Sequence, residues 1–234
     1  LDPYLLGLWL GDGTSRSGQL TTADDLHLAF QHAGYEVKKL STKYGYGIHG
    51  LYRELRLLGL LQNKHVPDAY LWASAPQRLA LVQGLMDTDG YCDRRGRAWF
   101  VNTNRRLADA MLQLVRSLGI KARFSERRAM LKGRDVGPVY SVNWQDSMPV
   151  FRLSRKLERL RQQRKIKANT HRRMAIVKIE RLPEPVNSRC IEVDSPSHLY
   201  LCGPAMLPTH NSVTLAILAL WWVKTRRHGR VIAT

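Results

Sequence analysis

The sequence is poor in cysteine and has no long apolar run, and these absences exclude several classes of protein. Its three cysteines, Cys92, Cys190 and Cys202, form no Cys-x-x-Cys pair and no zinc-binding spacing. The longest apolar stretch, residues 213–223, is shorter than the roughly 20 residues that a membrane-spanning helix needs, and no signal peptide is recognisable. We therefore expect a reducing, cytoplasmic environment and no membrane partner.

Acidic residues are also scarce. The 234 residues include 37 Lys plus Arg but only 19 Asp plus Glu, which gives a formal net charge of +18. Residues 152–173 alone contain ten basic side chains and one acid, Glu158. Solubilising charge of the ribosomal type, or a solvated helix face, would explain part of this excess. The density of charge favours a polyanionic partner, DNA above all.

Two segments of similar pattern lie a domain's length apart, "LLGLWLGDG" at 5–13 and "VQGLMDTDG" at 82–90. Each is typical of an apolar helix that ends at an Asp-Gly turn, and strands, a helix, strands and a further helix follow in both halves. The patterns predict helices over 5–11, 26–34, 51–60, 75–90, 105–120 and 149–160, and strands within 35–50 and over 97–103, 121–128 and 139–145. Three further short strands are predicted at 174–182, 189–195 and 198–203.

The repeated helices have small residues at a spacing of four, which places them on one helix face and allows two backbones to approach closely. These residues are Gly7 with Gly11, and Gly84 with Thr88. Asp12 and Asp89 would then lie at adjacent helix carboxyl ends, where the helix dipoles disfavour additional negative charge. A hard divalent cation would compensate for this charge. The alternative is two ordinary core helices that end in Asp-Gly turns, which are common.

The two segments resemble the LAGLIDADG motifs of homing endonucleases. The second is the closer match, through Gly84, Leu85, Asp87, Asp89 and Gly90, whereas the first has Leu10 where an acid is frequent. The resemblance implies an α/β fold with two pseudo-symmetric αββαββα lobes, at 1–72 and at 73–170. It also implies that Mg²⁺ (or Mn²⁺) binds between the lobes, and the implied metal-binding residues are Asp12, Asp89, Gly11 and Thr88.

The resemblance extends to "LLQNKHVPDAYL", in which Lys64 precedes Val66 and Pro67. It implies that Lys64 lies near the metals and acts on the attacking water or the phosphate. Aligning Leu61-x-x-Lys64 with Leu153-x-x-Lys156 makes Lys156 its counterpart. For either lysine the alternative is a plain phosphate contact in a basic patch. The implied reaction is metal-dependent hydrolysis of both DNA strands.

The implied partner is double-stranded DNA with a long asymmetric site, bound by a monomer through curved sheets in the major groove. The candidate DNA contacts are Arg97, Trp99, Arg123, Arg127, Arg128, Arg155 and Arg159. Arginine can recognise guanine through two hydrogen bonds, but most such contacts are to phosphate. A rival interpretation is a protein of this fold that binds DNA without cutting it.

Residues 174–211 resemble the C-terminal splicing segment of an intein, part of an all-β Hint-type domain. Asp194 and His198 lie in a block that resembles the assisting Asp and His of that segment. In "MLPTHNS", Asn211 would cyclise and break its bond to Ser212, His210 would assist as a general acid, and Ser212 would be the downstream nucleophile. The matching N-terminal splicing block is not in this sequence, and we expect it as a partner segment.

The change to an apolar helix after Asn211 marks a junction with a host protein. Residues 212–234 resemble the helix and strand that follow the P-loop of a phage terminase-like ATPase, with Ser212 as the residue after Gly-Lys. We therefore expect a bacterial or phage-infected cell as the location. The alternatives are a C-terminal helix of the same protein and a fragment of the ATPase itself, and the missing Gly-rich loop argues against the latter.

Overall fold

The computed structural model describes residues 1–161, 178, 180, 183–184, 191–209, 220–221 and 223–225. The chain forms two compact units, Leu1–Arg172 and Arg173–Thr234. The first unit is a mixed α/β structure with two antiparallel sheets. Among the described helices, none combines the length and the apolar character that crossing a membrane would require.

The first half of unit 1 contains a small sheet in the order β1-β3-β2. Its elements are α1 (Pro3–Asp12), β1 (Gln19–Thr21), α2 (His27–His32), β2 (Val37–Lys39), β3 (Gly45–Ile48), α3 (Leu51–Leu57) and α4 (Asp68–Leu71). Only one strand separates α1 from α2, so the order αββαββα is incomplete here. Gly13 pairs with Leu20 as an isolated bridge, because a tight turn closed by the bond from Thr14 N to Gln19 O leaves no room for a second strand.

The second half has the full predicted order αββαββα, with a four-stranded sheet in the order β4-β5-β7-β6. Its elements are α5 (Ala75–Asp89), β4 (Gly90–Cys92), β5 (Ala98–Asn102), α6 (Arg105–Ser117), β6 (Ala122–Leu131), β7 (Arg134–Trp144) and α7 (Ser154–Arg161). A capping box between Ser74 and Gln77 starts α5. The Asn104 side chain accepts from Arg106 N and caps α6.

Helices α1 and α5 pack against each other at the centre of unit 1. Helix α1 is apolar around most of its circumference, as a helix buried on several sides must be, and α5 is buried mainly in its second half, from Leu81 to Asp87. A Cβ added to Gly84 would lie 2.2 Å from Tyr4 O, and one added to Gly7 would lie 2.9 Å from the Gly84 Cα. A Cβ on Gly11 would lie 2.0 Å from Thr88 Oγ1. These contacts confirm the predicted close approach of the two helix backbones.

Unit 2 is described over fewer residues. Strands β8 (Tyr200–Cys202) and β9 (Leu207–Thr209) pair as an antiparallel hairpin. The prediction of a strand over 189–195 is wrong for its described part, 191–195, because the chain bends at Asp194 and enters the turn that contains Pro196. The strand predicted over 174–182 lies outside the described residues apart from positions 178 and 180.

Candidate active site at the paired helix ends

Asp12 and Asp89 are the last residues of α1 and α5, and the packing of these helices places them in one electrostatic environment. Burial, followed by the charge of the Asp89 carboxylate, raises the pKa of Asp12 to about 6, and the charges of Lys156 and Lys64 partly offset this shift. Burial also raises the pKa of Asp89, against the Asn102 hydrogen bond and the two lysines. Two desolvated carboxylates thus lie near the negative ends of two helix dipoles.

Lys64 binds the carboxyl end of α1. Its Nζ donates to the carbonyl oxygens of Leu10 (2.9 Å), Gly11 (3.2 Å) and Gly13 (2.7 Å), and it lies 5.0 Å from the centroid of the Trp9 ring. Burial lowers the pKa of Lys64 to about 8, and the charges of Asp89 and Asp12 oppose this shift. The ammonium therefore satisfies carbonyls that a helix end leaves without partners.

Lys156 occupies the equivalent place at α5. Its Nζ lies within hydrogen-bond distance of four carbonyl oxygens, those of Met86 (2.9 Å), Asp87 (2.7 Å), Thr88 (3.4 Å) and Gly90 (2.6 Å). Lys156 is only 8% exposed, and burial lowers its pKa. Because an ammonium has three hydrogens, all of them are used by these carbonyls. The two lysines are therefore matched in position, one at each helix end.

The helix ends differ two residues before the terminal acids. In α5 the buried Asp87 accepts from the Tyr4 hydroxyl (2.8 Å) and from the backbone N–H groups of Arg152 and Leu153, which precede α7. In α1 the corresponding Leu10 is buried in the apolar core. Asp87 thus fixes the segment that carries Lys156, a structural role that requires no solvent or DNA.

Asn102 and Asn104, at the end of β5, were missed by the sequence interpretation. Asn102 Nδ2 donates to Asp89 Oδ2 at 2.7 Å, and Asn102 Oδ1 accepts from Asn104 N at 2.7 Å. Asn104 Nδ2 in turn donates to Lys64 O at 2.9 Å. The motif "NTN" after a predicted strand was a usable signal, since Asn commonly bonds to the backbone two residues on.

The donor set fits a hard divalent cation only in part. Within the described residues, no group of three or more His, Cys, Asp or Glu side chains is placed to hold a metal. Asp12 and Asp89 are carboxylates whose raised pKa values reflect desolvation and, for Asp12, mutual repulsion, and a cation would relieve both. The hydroxyl of Thr88 donates into its own helix, to Gly84 O or Leu85 O, and the backbone carbonyls of Gly11 and Thr88 could supplement the carboxylates.

The open face of the four-stranded sheet carries several predicted DNA contacts. Strand register aligns Tyr91, Trp99, Asn143 and Arg123 in one row across the sheet. The neighbouring row includes the fully buried Phe100 and Val142 and belongs to the core. Since side chains alternate between faces, the first row lies on the side away from the core. Tyr91 and Trp99 stack with centroids 6.1 Å apart, and the Arg97 guanidinium lies 5.9 Å from the Trp99 ring.

The structure does not bring all seven candidate contacts together. Arg127 alternates with Arg128 along β6, so they project to opposite sides, and Arg128 forms an ion pair with Asp135 at 2.7 Å. Arg155 forms an ion pair with Asp24 at 2.6 Å. Arg159 is exposed on α7. The sheet aligns four of the seven candidates on one face: Arg97, Trp99, Arg123 and Arg127.

The small sheet of the first half provides a second open face that the sequence interpretation missed. Register aligns Gln19, Gly47 and Lys38 in one row, opposite to the buried Leu20 and Ile48. A cavity of about 320 Å³ lies on this face, and Gln19 and Lys38 are among its lining residues. Because β1 and β2 are only three residues long, periodicity could not reveal which side chains share this face.

The predicted splicing residues fall in unit 2. Asp194 and His198 are both exposed, and His198 Nδ1 lies 3.9 Å from Glu192 Oε1. His198 has a positive φ of 52°, next to the turn that contains Pro196. His210, Asn211 and Ser212 lie outside the described residues.

Comparison with known proteins fits the geometry of the second half. Residues 76–166 match the LAGLIDADG-like domain family. A curated relative, the replicative DNA helicase DnaB of Mycobacterium intracellulare, is 37% identical over 211 residues, which is 90% of this chain and 35% of that protein. The chain therefore spans about a third of the length of this relative.

Solved structures of the homing endonuclease I-DmoI are also similar in outline. Mesophilic variants of that enzyme are 17% identical, with 61% of this chain and 87% of that chain covered and a TM-score of 0.41. I-DmoI in complex with DNA and Mn shows the same identity and TM-score, with 88% of that chain covered. Similarity at this level does not transfer roles to individual residues.

Proposed function

We propose that the chain is an intein-encoded homing endonuclease that makes metal-dependent double-strand breaks in DNA. The observation that carries the proposal is the pair of carboxylates, Asp12 and Asp89, at the closely packed ends of α1 and α5. The match of residues 76–166 to the LAGLIDADG-like domain family supports it. The protein would act as a monomer in the cytoplasm of a bacterial or phage-infected cell.

Asp12 and Asp89 would hold Mg²⁺ or Mn²⁺, together with the carbonyls of Gly11 and Thr88. When bound, the ion would lower the pKa of an attacking water and stabilise charge on the leaving oxygen. The chain's own contribution is to fix the two carboxylates by helix packing and to exclude part of the surrounding water. Both effects strengthen electrostatic interactions at the scissile phosphate.

The two lysines would stabilise this arrangement through their positive charge. Lys64 and Lys156 each place a positive charge on a helix end, so they offset the helix dipoles and the repulsion between the carboxylates. The Nζ hydrogens of Lys156 are all used by carbonyls, which favours a positioning role for it over direct action on water or phosphate. Lys64 also has three carbonyl acceptors for its three hydrogens, but it is more exposed than Lys156, so water or phosphate could exchange with one of these carbonyls.

DNA would lie across the open faces of the two sheets. Arg97, Arg123 and Arg127 supply positive charge on the larger face, and Gln19 and Lys38 supply polar contacts on the smaller one. The net charge of +18 supports a long-range attraction to the phosphate backbone. The difference between the two faces fits an asymmetric target.

The experiment is a search for cleavable sites in randomised duplex DNA in Mg²⁺, followed by assays of Asp12→Asn and Asp89→Asn. Each variant should lose cleavage and keep DNA binding in Ca²⁺. Thr103→Ala is the matched control, since Thr103 is exposed and lies between the asparagines of the site. If wild type binds a selected site tightly but never cuts it, the chain is a DNA-binding protein of this fold; wild-type cleavage by both Asn variants would refute the site.

We further propose that residues 174–211 are a C-terminal splicing segment that acts with an N-terminal intein segment. The order Asp194, His198, His210, Asn211 and Ser212 supports this, as does the β8–β9 hairpin just before His210. The host would be a P-loop ATPase. The curated relative is a helicase, whereas the motif after Asn211 resembles a terminase, and both kinds of protein are compatible with Ser212 after Gly-Lys.

Mass spectrometry of the released tail tests the splicing proposal. The chain with an N-terminal intein fragment supplied in trans should release residues 212–234, and Asn211→Ala should prevent the release. Asp194 lies upstream of the junction, and Asp194→Ala should slow the release of the tail. Cleavage at another bond, or unchanged release from Asn211→Ala, would show that the junction is elsewhere.

A further inference from the structure

The two terminal acids have different hydrogen-bond environments. Asp89 accepts from Asn102 Nδ2 at 2.7 Å. Among the residues that the structure describes, no donor forms an equivalent hydrogen bond with the Asp12 carboxylate. The lysines do not create this difference, because Lys64 and Lys156 bind the two helix ends in the same way.

Asn102 is itself held in one orientation. Its Oδ1 accepts from the backbone N–H of Asn104 at 2.7 Å, and this bond leaves the amide NH₂ directed at Asp89. Asn104 is fixed in turn, because its Oδ1 caps α6 through Arg106 N and its Nδ2 donates to Lys64 O at 2.9 Å. A chain of hydrogen bonds thus runs from the Asp89 carboxylate through Asn102 and Asn104 to the backbone of Lys64. The side chain of Lys64 in turn binds the end of α1.

We propose that Asn102 is a positioning residue for Asp89, and that it makes the two halves of the cleavage site unequal. The carboxylate that Asn102 holds has one preferred rotamer, whereas Asp12 must be ordered when DNA and metal bind. Preorganised groups accelerate a reaction because they need no reorganisation in the transition state. The strand whose cut depends on the Asp89 orientation is therefore cut faster. This inference rests on the proposed nuclease function.

The first test measures each strand separately. A duplex with the selected target carries a different fluorophore on each strand, and wild type in Mg²⁺ should cut one strand several times faster than the other. A supercoiled plasmid with the same site should pass through a nicked circle. Asn102→Ala should slow the faster cut roughly tenfold, the equivalent of one hydrogen bond to a charged group, and should change the slower cut less than twofold.

The second test needs neither metal nor activity. In ¹⁵N–¹H spectra of metal-free protein, the Asn102 side-chain amide should be shifted by its bond to a carboxylate. Asp89→Asn should move this signal, whereas Asp12→Asn should leave it in place. Asn102→Ser, which keeps a short donor, should restore part of the faster rate, and Thr103→Ala should match wild type in both assays.

The outcomes separate the inference from the proposed function. If wild type cuts no selected DNA, both fall together. If it cuts both strands at equal rates, the nuclease proposal stands and the inequality does not. Equal slowing of both strands by Asn102→Ala, or an Asn102 amide signal that ignores Asp89→Asn, would assign Asn102 a purely structural role. Should Asn102→Ala fail to fold, the wild-type strand rates and the amide signal still decide the question.

Discussion

Replacement of Lys156 by Met should destabilise unit 1 strongly, because the ammonium is the donor for several buried carbonyls at the end of α5. Met replaces the aliphatic part of the Lys side chain, but it lacks the terminal nitrogen and has no hydrogen to donate. The carbonyls of Asp87, Thr88 and Gly90 then lose the Nζ donor, while Met86 O keeps its helix bond from Gly90 N. Each buried acceptor left unpaired costs about 1 kcal/mol or more.

The loss is reduced by one favourable term, since the desolvated ammonium no longer has to be buried. We therefore expect a net destabilisation of about 3 kcal/mol, which for a unit of this size lowers Tm by roughly 6–12 °C. Lys64→Met is the matched comparison. Lys64 binds three carbonyls and is more accessible, so water can replace its bonds, and we expect about 1 kcal/mol there.

The assay is thermal and urea unfolding of both variants and wild type in metal-free buffer, with circular dichroism as the signal. Helix content at low temperature should be unchanged, so that the difference reflects stability and not a change of fold. An unchanged Tm for Lys156→Met, or a larger loss for Lys64→Met than for Lys156→Met, would refute the view that Lys156 binds the helix end in a buried environment.

Three further outcomes are expected. Gly84→Ala should prevent native packing or cost several kcal/mol, since the new Cβ would lie 2.2 Å from Tyr4 O, and near-native Tm would show that the helices can separate freely. The raised pKa of Asp12, about 6, favours the protonated carboxyl in the folded state, so this contribution to stability is complete below pH 4 and is lost as pH rises through 6. Relative to wild type, the stability of metal-free Asp12→Asn should therefore rise by about 1 kcal/mol between pH 5 and pH 7. DNA affinity should fall steeply with salt, and Arg123→Gln should reduce the slope of log affinity against log salt concentration by about one. An affinity that does not depend on salt would contradict this expectation.

The sequence predicted the features that depend on local pattern. Periodicity located the principal helices of unit 1, and the four-residue spacings of Gly7 with Gly11 and of Gly84 with Thr88 indicated the helix contact. Three of the four strands of the second half were predicted because β5, β6 and β7 are long enough to show a pattern, whereas β4 has three residues and was not located. The first half was not predicted in full, since its strands are three or four residues long and Gly13 forms only a bridge.

Contacts between distant segments could not be predicted in the same way. The bond from Asn102 to Asp89 depends on where β5 ends relative to α5, and the bond from Asn104 to Lys64 O crosses 40 positions of the sequence. The ion pair of Arg128 with Asp135 depends on the register between β6 and β7. In each case the residue type was visible in the sequence, but its partner was fixed only by tertiary packing.

The packing of α1 on α5 is electrostatically unfavourable at the helix ends, and charged side chains from other parts of unit 1 compensate for it. Close approach at Gly7 and Gly84 brings two helix carboxyl ends and two carboxylates together, and each of these disfavours the others. Lys64 and Lys156 reach these ends from segments that follow each half's own sheet, so each half supplies the charge that its own helix needs. The glycines and lysines, which both halves share, therefore stabilise the helix pair, whereas the hydrogen bonds of Asp87 and Asn102 distinguish the second half from the first.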